Sequence, residues 1–193
     1  MADGAIVGVS DHGGWAVLVT VTGDGTVLDR RRVSLVDEDL PALPHHHEGQ
    51  RLPIDEAVAL VEQVRESAAR HAARALDEVA NAVPARVTGI ALRECPSLPP
   101  TVAERLTDYR ARNTADWVMY RMALAGAAEA RGWVVHWYDA KTVLGTAGAG
   151  PDGADFETWF CQVRTSIGPP WNRDHKLATA AALVAARERP QAT

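Results

Sequence analysis

Cysteine is scarce in this sequence: Cys95 and Cys161 are the only two in 193 residues. They are too few and too far apart for a metal-binding pattern or a disulfide framework, so both are expected as free thiols in a reducing compartment, the cytoplasm. Long apolar runs are missing as well; those present, such as residues 16–21, are far too short to cross a bilayer. The opening Met1-Ala2-Asp3-Gly4 has neither the basic nor the apolar region of a secretory leader. The basic surplus of a general nucleic-acid binder is absent too, the net charge being −5. That balance leaves room for a local phosphate-contacting surface. A carboxylate cluster that held metal would account for several of the negative charges, and Arg30-Arg31-Arg32 and the group Arg105, Arg110, Arg112 and Arg121 can concentrate positive charge. The plainer reading of those arginines is a solvated strand end and a polar helix face.

What is present is a chain of one domain's length, residues 1–193, whose apolar fraction of 47% suffices for a substantial core. Residues 5–9 and 15–21 are short apolar runs, and residues 27–36 alternate in the period of a strand. Thr22-Gly23-Asp24-Gly25-Thr26 reads as a hairpin turn. Three strands with tight connections predict an antiparallel meander. Residues 37–52, with prolines, acids and His45-His46-His47, predict a loop. Apolar residues at three- and four-residue spacing from Ile54 to Val79 predict a long helix, with Pro53 in its first turn. A buried strand over 87–92, a short helix near 102–109 and a second long helix over 115–131 follow. Thr114 is placed to cap that helix and Gly132 to close it. A strand over 133–138, a glycine-rich segment over 146–155, a short helix over 156–163 and a last helix over 174–189 complete the order. The expected fold is α/β: a mixed five-stranded sheet with an antiparallel three-stranded start, then parallel strands, flanked by helices.

Acids fall at the ends of the expected parallel strands: Asp11 after the first, Glu94 after the fourth, Asp139 after the fifth, while Asp174-His175 opens the last helix. Function in such sheets gathers at the carboxyl ends of parallel strands. Clustered carboxylates need a cation, and oxygen ligands favour Mg²⁺ or Mn²⁺; two such ions can clamp the attacking and leaving oxygens of a phosphodiester displacement. The expected catalytic set is Asp11, Glu94, Asp174 and His175, with Asp139 a reserve metal ligand. His175 would orient water or protonate the leaving group, and Arg110, Arg112 and Arg121 would bind phosphate. Each acid also has a structural reading: Asp11 shapes a glycine-rich turn, Glu94 sits exposed in a loop, and Asp139 and Asp174 cap helices.

On these residues the sequence resembles the ribonuclease-H-like superfamily, and within it the RuvC-type Holliday-junction resolvases. The strand–helix order covers nearly the whole chain. Gly14-Trp15-Ala16-Val17 is similar to the family's turn into the second strand, Glu94 to the acid ending its fourth strand, and Asp174-His175-Lys176-Leu177-Ala178-Thr179-Ala180 to the start of its last helix. Leu177 departs from the pattern, standing where such a helix often has a further acid, and the first-strand loop is shorter. The resemblance implies a metal-dependent nuclease acting on structured DNA or RNA, with a homodimer as a further expectation. The alternative is a catalytically inactive interaction scaffold on the same fold. Asp11-His12-Gly13-Gly14 also resembles the opening hairpin of actin-like ATPases and sugar kinases, which need two such domains around a nucleotide.

His45-His46-His47-Glu48 invites a metal reading. Adjacent side chains on an extended segment point to opposite sides, so an exposed, dispensable polar loop is the better expectation. The tryptophans at 15, 117, 133, 137, 159 and 171 are expected in the core or at interfaces, with Trp171 placed to line a groove.

Overall fold

The computed structural model describes residues 4–148 and 155–187. Its elements are β1 (Ala5–His12), β2 (Trp15–Val21), β3 (Val27–Ser34), α1 (Ile54–Ala82), β4 (Val87–Arg93), α2 (Val102–Thr107), α3 (Tyr109–Glu129), β5 (Val134–Tyr138), α4 (Val143–Ala147), α5 (Phe156–Ile167) and α6 (Arg173–Arg187). The sheet order is β3-β2-β1-β4-β5. Strands β1, β2 and β3 pair antiparallel, and β4 and β5 run parallel to β1. This is the mixed α/β sheet that the sequence pattern predicts, an antiparallel three-stranded start followed by parallel strands. Gly14 makes the tight β1–β2 connection with φ of +79°, which a side chain would strain.

Both faces of the sheet are covered. Val7, Val9, Leu18, Ile90 and Leu92 pack with α1 and α3 on one side. Ile6, Val17, Val19, Val21 and Ala91 pack with α4, α5 and α6 on the other. Because successive strand residues point to opposite faces, neighbours on β1 belong to different cores. Helix α6 lies unusually close to β1: a Cβ built on Gly8 would stand 1.8 Å from the Ala178 carbonyl oxygen. Alanines at 178, 181 and 182, all buried, permit that approach.

Several boundaries differ from the pattern, each for a local reason. α3 begins at Tyr109 because the Asp108 carboxylate accepts the Ala111 N–H at 2.7 Å. Thr114 therefore lies inside the helix, its hydroxyl turned back on the Arg110 and Ala111 carbonyls, and caps nothing. A Thr101–Glu104 capping box starts α2. Within the expected loop, Glu48–Arg51 forms a 3-10 turn. α5 continues to Ile167. Residues 149–154 of the glycine-rich segment and 188–189 of the expected last helix lie outside the described residues. Among the described residues no helix is long and apolar enough to cross a membrane.

Candidate functional site

The carboxyl end of β1 presents two different surfaces. Ser10 and His12 share the face of Gly8 and meet α6. The Ser10 hydroxyl donates to Asp174 Oδ1 at 2.9 Å, and His12 Nε2 lies 2.8 Å from the same oxygen. The spacing follows from the Gly8–Ala178 contact. Four residues back along a helix and two forward along a strand are both about 6 Å, so Asp174 falls opposite Ser10. The His12 ring stacks on Trp15, with centroids 3.9 Å apart and planes 5° from parallel. Arg32, exposed on β3, lays its guanidinium over the same indole at 4.2 Å. The result is an Arg32–Trp15–His12 stack of planar groups ending on the Asp174 carboxylate. Burial opposes ionisation of Asp174, but the hydrogen bonds from His12 and Ser10 outweigh it, helped by the charges of His12 and His175, and hold its carboxyl below the usual range.

Asp11 turns to the opposite face, toward α3. It is 2% exposed. Its Oδ2 accepts a hydrogen bond from Arg121 Nε at 2.7 Å, and Arg93 Nε stands 3.8 Å from Oδ1. Arg121, itself buried, also donates to the Glu94 carbonyl at 3.0 Å. The expected convergence of Asp11, Glu94 and Asp174 is therefore not what the structure contains. Alternation along β1 sends Asp11 and the partners of Asp174 to different cores. Arg121, expected as a phosphate ligand, is an internal counter-ion. Of its expected companions, Arg110 is exposed at the start of α3, while Arg112 is half-buried, its guanidinium 5.8 Å from the Tyr109 ring centroid.

Glu94 and Asp139 line one cleft of about 200 Å³ together with His136 and Thr142. Asp139 also caps its own turn, its Oδ1 accepting the Lys141 N–H at 2.8 Å. Asp174 does not cap α6. Asn172 does, its Oδ1 accepting the N–H of Asp174 at 3.0 Å and, more weakly, that of His175 at 3.4 Å. His175 is turned inward, Nδ1 against Asn172 and ring 5.2 Å from Trp171. Burial first, then the Arg30 charge, push its pKa down. Among the described residues no three His, Cys, Asp or Glu side chains stand close enough to hold a metal ion together. The expected Mg²⁺ or Mn²⁺ ligand set does not fit as these residues are placed.

The histidine loop differs most from expectation. His45 is 1% exposed, and its Nδ1 lies 2.7 Å from Oδ1 of the fully buried Asp116. The two carboxylate oxygens also accept the backbone N–H groups of His45 and His46, each at 3.0 Å. Asp116 thus organises the loop from α3. His47 is exposed, as expected, and His46 is half-buried.

The residues missed in the sequence are Ser10, His12 and Asp116, and Trp15 as part of a stack; Arg32 was named only as one of three adjacent arginines able to concentrate positive charge. Strand alternation separates Ser10 and His12 from Asp11, a signal that was present. Asp116 is an isolated acid on the apolar face formed with Ala115, Met119 and Tyr120, all buried, and such an acid calls for buried donors.

No family model and no curated protein matches the sequence. Two solved structures with the same architecture are those of Thermus thermophilus RuvC. One is in complex with its Holliday junction substrate, with 16% identity, 95% of this chain and 92% of that chain covered, and a TM-score of 0.52. The other has 17% identity, covers 94% and 93%, and has a TM-score of 0.50. The chain has a ribonuclease-H-like, RuvC-like fold.

Proposed function

We propose that this protein binds structured nucleic acid at the carboxyl end of β1 and acts as a RuvC-fold recognition domain. The observation that carries the reading is the Arg32–Trp15–His12 stack. The imidazole and the guanidinium cover the indole, so the planar surface left open at the sheet end is the outer face of the exposed Arg32 guanidinium, held in place by the stack. Unpaired or junction bases stack on guanidinium planes, and the same positive charge attracts phosphate. The similarity to a RuvC bound to a Holliday junction supports branched DNA as the first ligand to test. The negative net charge makes weak, salt-sensitive binding the expectation.

Metal-dependent cleavage is the second reading, favoured by the cleft that Glu94 and Asp139 share. With Asp11 paired to Arg121, that pair lacks the third carboxylate of a closed site, and no step is assigned to it.

Fluorescence anisotropy on a labelled four-way junction, with a linear duplex for comparison, tests the binding. Trp15→Ala with Arg32→Ala should weaken junction binding by at least about tenfold, roughly 1.4 kcal/mol, while circular dichroism stays that of the wild type. No saturable binding at low salt would overturn the proposal. Junction cleavage in Mn²⁺ that disappears in both Glu94→Gln and Asp139→Asn would establish the second reading instead.

A further inference from the structure

Where β4 ends against α3, a cleft of about 200 Å³ is lined by Arg93, Pro96, Asn113, Thr114, Trp117 and Arg121. It lies below the usual range for whole small molecules, roughly 300–1,000 Å³, and so suits a single chemical group. No carboxylate is among these lining residues. Arg121 is 6% exposed and already engaged, its Nε with Asp11 and its Nη1 with the Glu94 carbonyl. With Asp11 matched to Arg121, the Arg93 charge has no carboxylate of its own. Arg93 Nε stands 3.8 Å from Asp11 Oδ1, too far for a hydrogen bond, and has no partner among the described residues. The Arg93 side chain still keeps 32% of its surface exposed. Its neighbour Tyr138 is neutral, since burial pushes the phenol up to about 12 and its O–H donates to the Val9 carbonyl. Asn113 and Trp117, both half-buried, make no side-chain hydrogen bond among the described residues. Arg110, exposed and without a carboxylate partner among the described residues, precedes Asn113 and Thr114 by one helical turn on the same side of α3.

We infer that this cleft binds the dianion of a phosphate monoester, with Arg93 as its charged ligand, the Asn113 amide and Trp117 indole N–H as neutral donors, and Arg110 at the rim. Arginine and tryptophan side chains only donate, and an amide group adds two further N–H donors. Such donors around an unmatched cation, with no carboxylate beside them, fit an oxyanion through charge-assisted hydrogen bonds. Near pH 7 a monoester carries about 1.5–2 negative charges, whereas a diester within a strand carries a single one. Arg93 and Arg110 together balance the monoester. A terminal group also enters a small cleft end-on, where a continuing strand has to leave on both sides. The bearer of the monoester is a free phosphate compound or the phosphorylated end of a nucleic-acid strand. Only the second of these rests on the nucleic-acid reading above.

The test is titration of the full chain at low salt, followed through the ¹H–¹⁵N signals of the Trp117 indole and the Asn113 side chain. Methyl phosphate should bind saturably and shift both signals, and dimethyl phosphate should bind at least about tenfold more weakly. Arg93→Gln should weaken methyl phosphate at least about tenfold. Asn113→Leu removes a side chain that makes no hydrogen bond among the described residues; it should weaken binding too, and it decides should Arg93→Gln not fold. Trp15→Ala with Arg32→Ala should leave methyl phosphate binding unchanged whether or not junction binding is lost, so the two sites fail independently. A short single strand with a terminal phosphate that binds at least about tenfold tighter than its dephosphorylated form, a preference lost in Arg93→Gln, identifies the strand end as the bearer. Equal binding of the two strands identifies the free compound. No saturable binding of methyl phosphate, equal affinity for dimethyl phosphate, or affinity unchanged in both Arg93→Gln and Asn113→Leu would overturn the inference.

Discussion

Arg121 on α3 and Asp11 at the end of β1, separated by 110 positions in the chain, join through an Nε–Oδ2 hydrogen bond of 2.7 Å with both side chains out of water. This contact ties the helix layer to the strand end and removes from the open surface the acid that the sequence pattern offers first as a metal ligand. Breaking such a pair strands one buried charge, at about 3–5 kcal/mol, whereas replacing both partners by apolar groups is often neutral. Asp11→Leu and Arg121→Met should each lower the urea midpoint sharply, and the double variant should recover most of the loss. Stabilisation by Asp11→Asn, as expected of a repelling carboxylate cluster, would refute this role.

The histidine run should divide by burial. His46→Ser with His47→Ser should change stability by no more than about 0.5 kcal/mol, as surface changes do. Asp116→Ala leaves two backbone N–H groups and the His45 ring without their acceptor. At about 1–3 kcal/mol for a buried donor left unsatisfied, it should destabilise by about 3 kcal/mol or more. Chemical denaturation of both variants distinguishes an organised loop from a dispensable one.

Acid should destabilise the protein in two stages. The His175 pKa is lowered from 6.5 by burial and then by Arg30. That of Asp174 is lowered from 3.8, its hydrogen bonds to His12 and Ser10 overcoming burial. In both cases the unfolded chain binds more protons than the folded one as pH falls, so stability is complete above the ordinary pKa and declines below it. Urea midpoints measured from about pH 8 to about pH 3 should fall first below the ordinary histidine value and again below the ordinary carboxylate value. His175→Asn should remove the first stage and leave the second. An upper stage of unchanged size in that variant would assign it to another group.

Gly8→Ala places a methyl group 1.8 Å from the Ala178 carbonyl oxygen, which forces α6 away from β1. Overpacking of this kind typically costs about 1–3 kcal/mol. The same displacement should loosen the Ser10 and His12 bonds to Asp174. The melting temperature should fall, and the His12 ring resonances should move toward those of Asp174→Asn. Unaltered His12 resonances would show that helix position and strand-end geometry are independent.

The order of elements was legible because each is a local property. The alternation of residues 27–36, the helical spacing from Ile54 to Val79 and the glycine-rich turn at 22–26 report how each segment buries its own apolar side. The positions of Glu94 and Asp139 at strand ends were legible for the same reason, and the two do share a cleft. Which face each acid joins was set by tertiary structure. Asp11 follows Ser10 by one residue, yet Ser10 meets α6 and Asp11 meets α3, because alternation along a strand multiplies a one-residue difference into opposite sides of a sheet. His45 looked like one of three exposed loop histidines until α3 supplied Asp116, 71 positions later. A polar residue's own neighbours do not reveal whether a distant partner will satisfy it in the interior. That depends on the packing of helices whose apolar stripes specify only that they pack, while the close approach of small residues such as Gly8 and Ala178 decides what meets what.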